Sequence, residues 1–139
     1  MTGSVGYSGR PIAVKLGVRP GSRVLVVGRP EDVELGLPPE ATVHTRPAPG
    51  AYDVVLVFCP DLATLLRRFA GLARRLTDAG ALWVSWPKRS SGVRTDLDEN
   101  VVREHGLEVG LVDVKVAAVD ATWSGLKFVR RLADRPGRT

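Results

Sequence analysis

The chain predicts one α/β domain: a mostly parallel sheet of about six strands, helices on both faces, and a C-terminal antiparallel hairpin. Three observations carry this expectation. The runs RVLVV (from Arg23) and YDVVLVFC (Tyr52 to Cys59) are near-continuous and rich in β-branched residues, the composition of strands buried on both faces. Strand-like and helix-like segments alternate through the middle of the chain, and right-handed crossovers between them imply parallel pairing. The end of the chain instead places two strand-like segments about a short turn. The length of 139 residues suits one domain, and 44% hydrophobic with 25% charged residues is ordinary for a globular protein.

The elements follow in order. Residues 1–10 are Gly- and Ser-rich and are expected to form a flexible N-terminal arm; residues 11–131 form the domain and residues 132–139 a basic tail. Pro11 to Leu16 suits a short helix, with Pro11 at its first position and Gly17 just past its end. Arg23 to Gly28 is the first strand, Glu31 to Leu35 a short helix and Ala41 to Thr45 a weak strand. Tyr52 to Cys59 is a second buried strand. Pro60 to Ala79 has the strongest helical pattern, with Leu62, Leu65, Leu66, Phe69, Leu72, Ala73 and Leu76 on one face. Asp61 lies in its first turn, Arg74 and Arg75 near its end and Gly80 beyond, each suited to the helix dipole or the C-terminal cap. Ala81 to Trp86 is a third core strand, followed by the polar loop Lys88-Arg89-Ser90-Ser91-Gly92. Thr95-Asp96-Leu97-Asp98 reads as a capping box for a helix to about His105. Gly110 to Val119 is a strand, residues 120–125 turn, and Leu126 to Arg131 returns as an antiparallel edge strand.

Composition narrows the function classes. The single cysteine, Cys59, excludes an internal disulfide and suits a cytoplasmic protein. No apolar run is long enough to span a bilayer, and the first ten residues lack the apolar core of a signal peptide, so no membrane association is expected. Two histidines and one cysteine make no zinc set. The net charge is +5, and Arg130, Arg131, Arg135 and Arg138 concentrate part of it at the end. No aromatic-basic pattern matches a nucleic-acid-binding motif, so nucleic acid is the weakest partner reading.

Nearly the whole chain, Gly6 to Arg131, resembles a small bacterial family classed as a domain of unknown function, through GYSGRPIAVKLGVRPGSRVLVVG, YDVVLVF, GALWVSWPKRSSGVRTDL and GLVDVKVAAVDATWSGLKFVRR. The resemblance implies a Rossmann-like fold in a cytoplasmic protein and brings no activity, cofactor or catalytic residue. LGVRPGSRVLVVG, YDVVLVF and AGALWVSW are also similar, more distantly, to the core strands of methyltransferases that use S-adenosylmethionine (SAM). In those enzymes the first strand exits into a loop with several glycines; here the loop is Gly28-Arg29-Pro30-Glu31-Asp32, with one. That fold normally inserts a further strand before the one matching YDVVLVFC. The span from Thr45 to Tyr52 leaves no room for it, so about six strands are expected rather than the usual seven.

In such sheets ligands bind beyond the carboxyl ends of the strands, where the strand order reverses. The exits expected there carry Pro30, Pro60 and Pro87, which donate no backbone hydrogen bond, while Glu31 and Asp32 add negative charge. No cofactor and no catalytic residue are therefore assigned. The candidates at the crevice mouth are Gly28, Arg29, Cys59, Trp86, Lys88, Ser90 and Ser91. The loop with Lys88 and Arg89 is either an anion-binding loop or an ordinary solvated one. Ser85 and Lys88 match an S-x-x-K spacing, but Ser85 ends a strand and Pro87 intervenes, so the match is chance. Cys59 is better read as a buried thiol than as a nucleophile, because neither His44 nor His105 is placed to act as its base. On the hairpin, Asp113, Lys115 and Lys127 are expected to form a cross-strand ion network. With Asp120 and Trp123 they make a candidate surface for a protein partner or self-association, Trp123 as its aromatic anchor. The leading expectation is a non-catalytic binding or regulatory domain; the alternative is a SAM-dependent methyltransferase with an atypical site.

Overall fold

Both apolar runs become central strands, and the alternating middle of the chain becomes a parallel sheet. The computed structural model describes residues 11–134; the expected arm and the last five residues of the expected tail lie outside them. The elements are α1 (Ile12–Leu16), β1 (Arg23–Val27), β2 (Thr42–His44), β3 (Tyr52–Phe58), α2 (Leu62–Ala73), β4 (Leu76–Pro87), α3 (Glu99–Val109), β5 (Leu111–Ala118) and β6 (Trp123–Arg130). The six strands lie in the order β2-β1-β3-β4-β6-β5. β1 pairs parallel with β2 and β3, and β3 with β4; β6 runs antiparallel to both β4 and β5. This is the Rossmann-like, methyltransferase-type sheet expected, with six strands.

Two apolar layers enclose the sheet. On one face α2 and α3 pack Leu65, Phe69 and Val102 against Leu82, Leu126 and Phe128. The other face is covered by α1 and by an extended segment after β1, through Leu16, Val33 and Leu35, against Leu56 and Trp83. The Trp83 indole N–H donates to the Leu16 carbonyl across 3.0 Å, so the buried donor is satisfied and α1 is pinned to the sheet.

Four local expectations are corrected. Glu31–Leu35 is not a helix. It sits between Pro30 and the Pro38-Pro39 pair, too short to propagate one, and it buries Val33 and Leu35, two residues apart, as an extended chain does. The helix from Pro60 stops at Ala73. Leu76 leaves the helical path to pair with Tyr52 in the core, and the Tyr52 amide donates to the Arg75 carbonyl at 2.7 Å. The Arg130 guanidinium takes up the Leu76 carbonyl at 2.9 Å. Residues 77–80 then form an irregular stretch opposite β3, and Gly80 is required there, because a Cβ would lie 2.8 Å from the Tyr52 carbonyl oxygen. The cap of α3 is Asp98, whose carboxylate accepts from the Val101 amide, rather than Thr95. The returning strand β6 is interior and β5 is the edge: β6 buries Leu126 and Phe128 completely, whereas Val114 and Val116 on β5 are about half exposed.

Candidate functional site

The chain leaves β1 toward β2 on one side and β3 toward β4 on the other, so strand order reverses between β1 and β3. At the carboxyl end of β1, Gly28 turns the chain with φ +76°, and a Cβ there would approach the Phe58 carbonyl oxygen to 3.2 Å. Glycine is what lets the loop pass so close to the end of β3. The loop that follows is a turn closed by the Val33 amide on the Pro30 carbonyl. Pro30 brings no donor, but the amides of Arg29, Glu31 and Asp32 make no backbone hydrogen bond among the described residues. Arg29 folds back on its own loop, its guanidinium donating to the Val33 carbonyl at 2.6 Å.

The exits of β3 and β4 are tied together. Thr95 donates its hydroxyl proton to the Pro60 carbonyl at 2.8 Å, and Asp96 accepts from the Leu62 amide at 2.7 Å. Asp61 caps α2 by accepting from the Thr64 amide and hydroxyl, and those hydrogen bonds hold its carboxyl below the usual carboxylate range. Between the β4 exit and the start of α3 lies an open cavity of about 640 Å³. Trp86 and Leu97 contribute its apolar part, Lys88, Arg89 and Arg94 its cations, and Asp96, Asp98 and Glu99 its acids.

The seven crevice candidates do not converge on one spot. Trp86 and Lys88 line the cavity, while Gly28 and Arg29 belong to the β1 turn. Ser90 is exposed. Ser91 holds its own loop, donating to the Lys88 carbonyl at 2.6 Å and accepting from the Val93 amide. Cys59 is fully buried, and burial pushes its thiol up to about 12, so it stays protonated and unreactive at neutral pH. Ser85 is buried too, its hydroxyl donating to the Ser124 carbonyl at 2.8 Å. Arg94, Thr95 and Asp96 were not among the candidates. Their segment has the spacing of a capping box, and only the tertiary fold shows that it bridges two strand exits.

The expected ion network on the hairpin does not form. Val114 is an extra residue in β5: Asp113 pairs with Phe128 but Lys115 with Lys127. Asp113 therefore faces α3, where Arg103 donates to it at 2.9 Å and lowers its pKa. Lys115 and Lys127 lie on the opposite face, beside Trp83. Burial, with Lys115 next to it, lowers the Lys127 pKa. Asp120 accepts from the Thr122 and Trp123 amides and so shapes the turn. Trp123 is half-buried, its ring edge-on to Phe58 at 5.2 Å between centroids. Among the described residues no cluster suits a metal ion, and no helix is long and apolar enough to cross a membrane.

No family model and no curated protein matches the chain. Solved structures do match in fold. A TehB-like SAM-dependent methyltransferase from Corynebacterium glutamicum superposes with a TM-score of 0.57 at 11% identity, over 92% of this chain and 91% of that one. The magnesium protoporphyrin IX methyltransferase of Synechocystis PCC 6803 with bound SAH gives 0.57 at 16% identity, over 85% and 78%. A ribosomal protein L11 methylase from Lactobacillus delbrueckii subsp. bulgaricus gives 0.55 at 13%, over 85% and 74%. At these identities the likeness establishes the fold, that of the SAM-dependent methyltransferases. It also corrects the leading expectation of a non-catalytic domain: the neighbours favour the methyltransferase alternative.

Proposed function

We propose that the protein is a SAM-dependent methyltransferase with an atypical cofactor loop. The observation that carries the reading is the Gly28 turn: a left-handed glycine against the Phe58 carbonyl, at the point where strand order reverses, in the sheet that the methyltransferase structures share. The residues present fit SAM, though by a different donor set from a glycine-rich loop. The open amides of Arg29, Glu31 and Asp32 suit its carboxylate, and the Glu31 and Asp32 side chains suit its ammonium group. Acidic side chains beside this loop are therefore compatible with a ligand that carries positive charge. Bound SAM supplies a methyl group on a sulfonium: an acceptor lone pair takes the methyl carbon, the sulfur–carbon pair returns to sulfur, and any acceptor proton passes to solvent. The bacterial family that the four segments resemble has, on this reading, the same fold, and a cytoplasmic location goes with it.

Calorimetry with SAM and with SAH tests the proposal. Both are expected to bind, and Gly28→Ala to weaken binding about tenfold, through strain at positive φ and pressure on Phe58. Arg67→Ala, on the exposed face of α2, is expected to bind as the parent does. Absence of binding by the folded parent protein overturns the reading.

A further inference from the structure

We propose that the cavity over the β4 exit binds an anionic ligand with a flat apolar body, and that this ligand is the methyl acceptor; its role as acceptor rests on the methyltransferase reading. The cavity's cations and acids are equal in number but differ in how they are partnered. Its carboxylates are already engaged: Asp96 accepts from the Leu62 amide, Asp98 from the Val101 amide, and Glu99 pairs with Arg103. Its three cations, Lys88, Arg89 and Arg94, make no ion pair or hydrogen bond among the described residues. Its acids are tied to the protein's own donors while its cations are not, so an anion is the ligand that meets open partners here. Lys88 is half-buried, so its attraction is screened less than that of a fully solvated lysine.

The apolar lining sets the rest of the ligand. Trp86 lines the cavity while packed in the core, and Leu97 is buried beneath it. Val93, also on the lining, is 48% exposed, an apolar side chain that the core does not use. Together they offer a surface for a ring or a flat hydrocarbon, next to the charges that would hold its acidic group. The volume, about 640 Å³, lies in the range of small-molecule sites. The Thr95 and Asp96 bonds to the β3 exit fix this cavity next to the strand that borders the Gly28 turn.

Phenyl phosphate is the probe, benzylamine its cationic counterpart, and nitrogen-15 NMR of the full chain the readout. Phenyl phosphate is expected to shift the Trp86 indole signal and the amides of residues 88–98, and benzylamine to leave them in place. The double variant Lys88→Gln/Arg94→Gln should bind phenyl phosphate at least about tenfold more weakly. Arg67→Gln, on the exposed face of α2, should bind it unchanged; unaltered thermal melting establishes that each variant is folded. Equal response to benzylamine, unchanged affinity in the double variant, or no response at all overturns the inference. Phenyl phosphate binding without SAM binding leaves the anion site standing and removes the methyl transfer; SAM binding without phenyl phosphate binding does the reverse.

Discussion

Gly106→Ala should destabilise the protein although it improves a helix. Gly106 lies inside α3, where replacing glycine by alanine ordinarily gains about 1 kcal/mol. Here α3 sits directly on β6. A Cβ at Gly106 would lie 2.0 Å from Cε1 of Phe128 and 2.6 Å from Cδ1 and Cζ. Carbon atoms rest at roughly 3.5–4 Å, so the helix or the ring must move by well over an ångström. Phe128 has nowhere to go: it is fully buried and meets Phe69 edge-on at 5.2 Å. Overpacking of this kind costs up to about 3 kcal/mol; less the helix gain, the net loss is about 2 kcal/mol, or roughly 8 °C in Tm. Urea unfolding followed by circular dichroism measures it. Phe128→Leu removes the ring, so the double variant should lose at least about 1 kcal/mol less than the two single losses summed. A Gly106→Ala variant as stable as the parent would refute the close seating of α3 on β6. Displacing α3 also moves Asp98 and Glu99, which line the cavity, so weaker phenyl phosphate binding should accompany the loss.

Three further outcomes follow from buried and paired groups. Cys59, with its thiol pushed up to about 12 by burial, should resist iodoacetamide at pH 8 in the native protein and react fully once denatured; rapid native alkylation would contradict its burial. Trp83→Phe should cost about 1–3 kcal/mol in urea unfolding, because it leaves the Leu16 carbonyl without its donor; a negligible loss would mean that α1 is held by other contacts. Asp113 is held below its usual 3.8 by the Arg103 guanidinium. Its contribution is therefore present above that value and disappears as pH falls through the depressed one. Asp113→Asn should flatten the fall in stability on acidification, by less than about 1 kcal/mol because the pair is partly solvated. An unchanged acid titration would show that the pair adds nothing.

The strands were legible because their signal is local. RVLVV, YDVVLVF and ALWVSW carry enough β-branched and aromatic side chain to be strands wherever they pack, and the short Thr45–Tyr52 span announced the six-stranded sheet. The boundaries were less legible. Leu76 fits the apolar face of a helix as well as it fits a strand, and pairing with Tyr52 is what decides between them. The β5 bulge left no clear mark either. Val112, Asp113, Val114, Lys115 and Val116 alternate as a regular strand would, yet the extra Val114 turns Asp113 and Lys115 to opposite faces.

The candidate site divides along the same line. Gly28 was named from sequence because it ends a buried strand at the crevice, although its being the loop's single glycine counted against a cofactor there. The three prolines at the strand exits were also visible, but the open amides beside Pro30 were not, since they depend on which neighbours the loop meets. The sequence by itself determined the class of fold and the strands that build it, and it pointed to the strand exits that the proposed site uses. Only the tertiary structure decided which charges stay open there. An aspartate reads the same in the chain whether it caps a helix, as Asp98 does, or ties two strand exits together, as Asp96 does. Its partners come from residues far apart in sequence, and those meet only when the sheet is assembled.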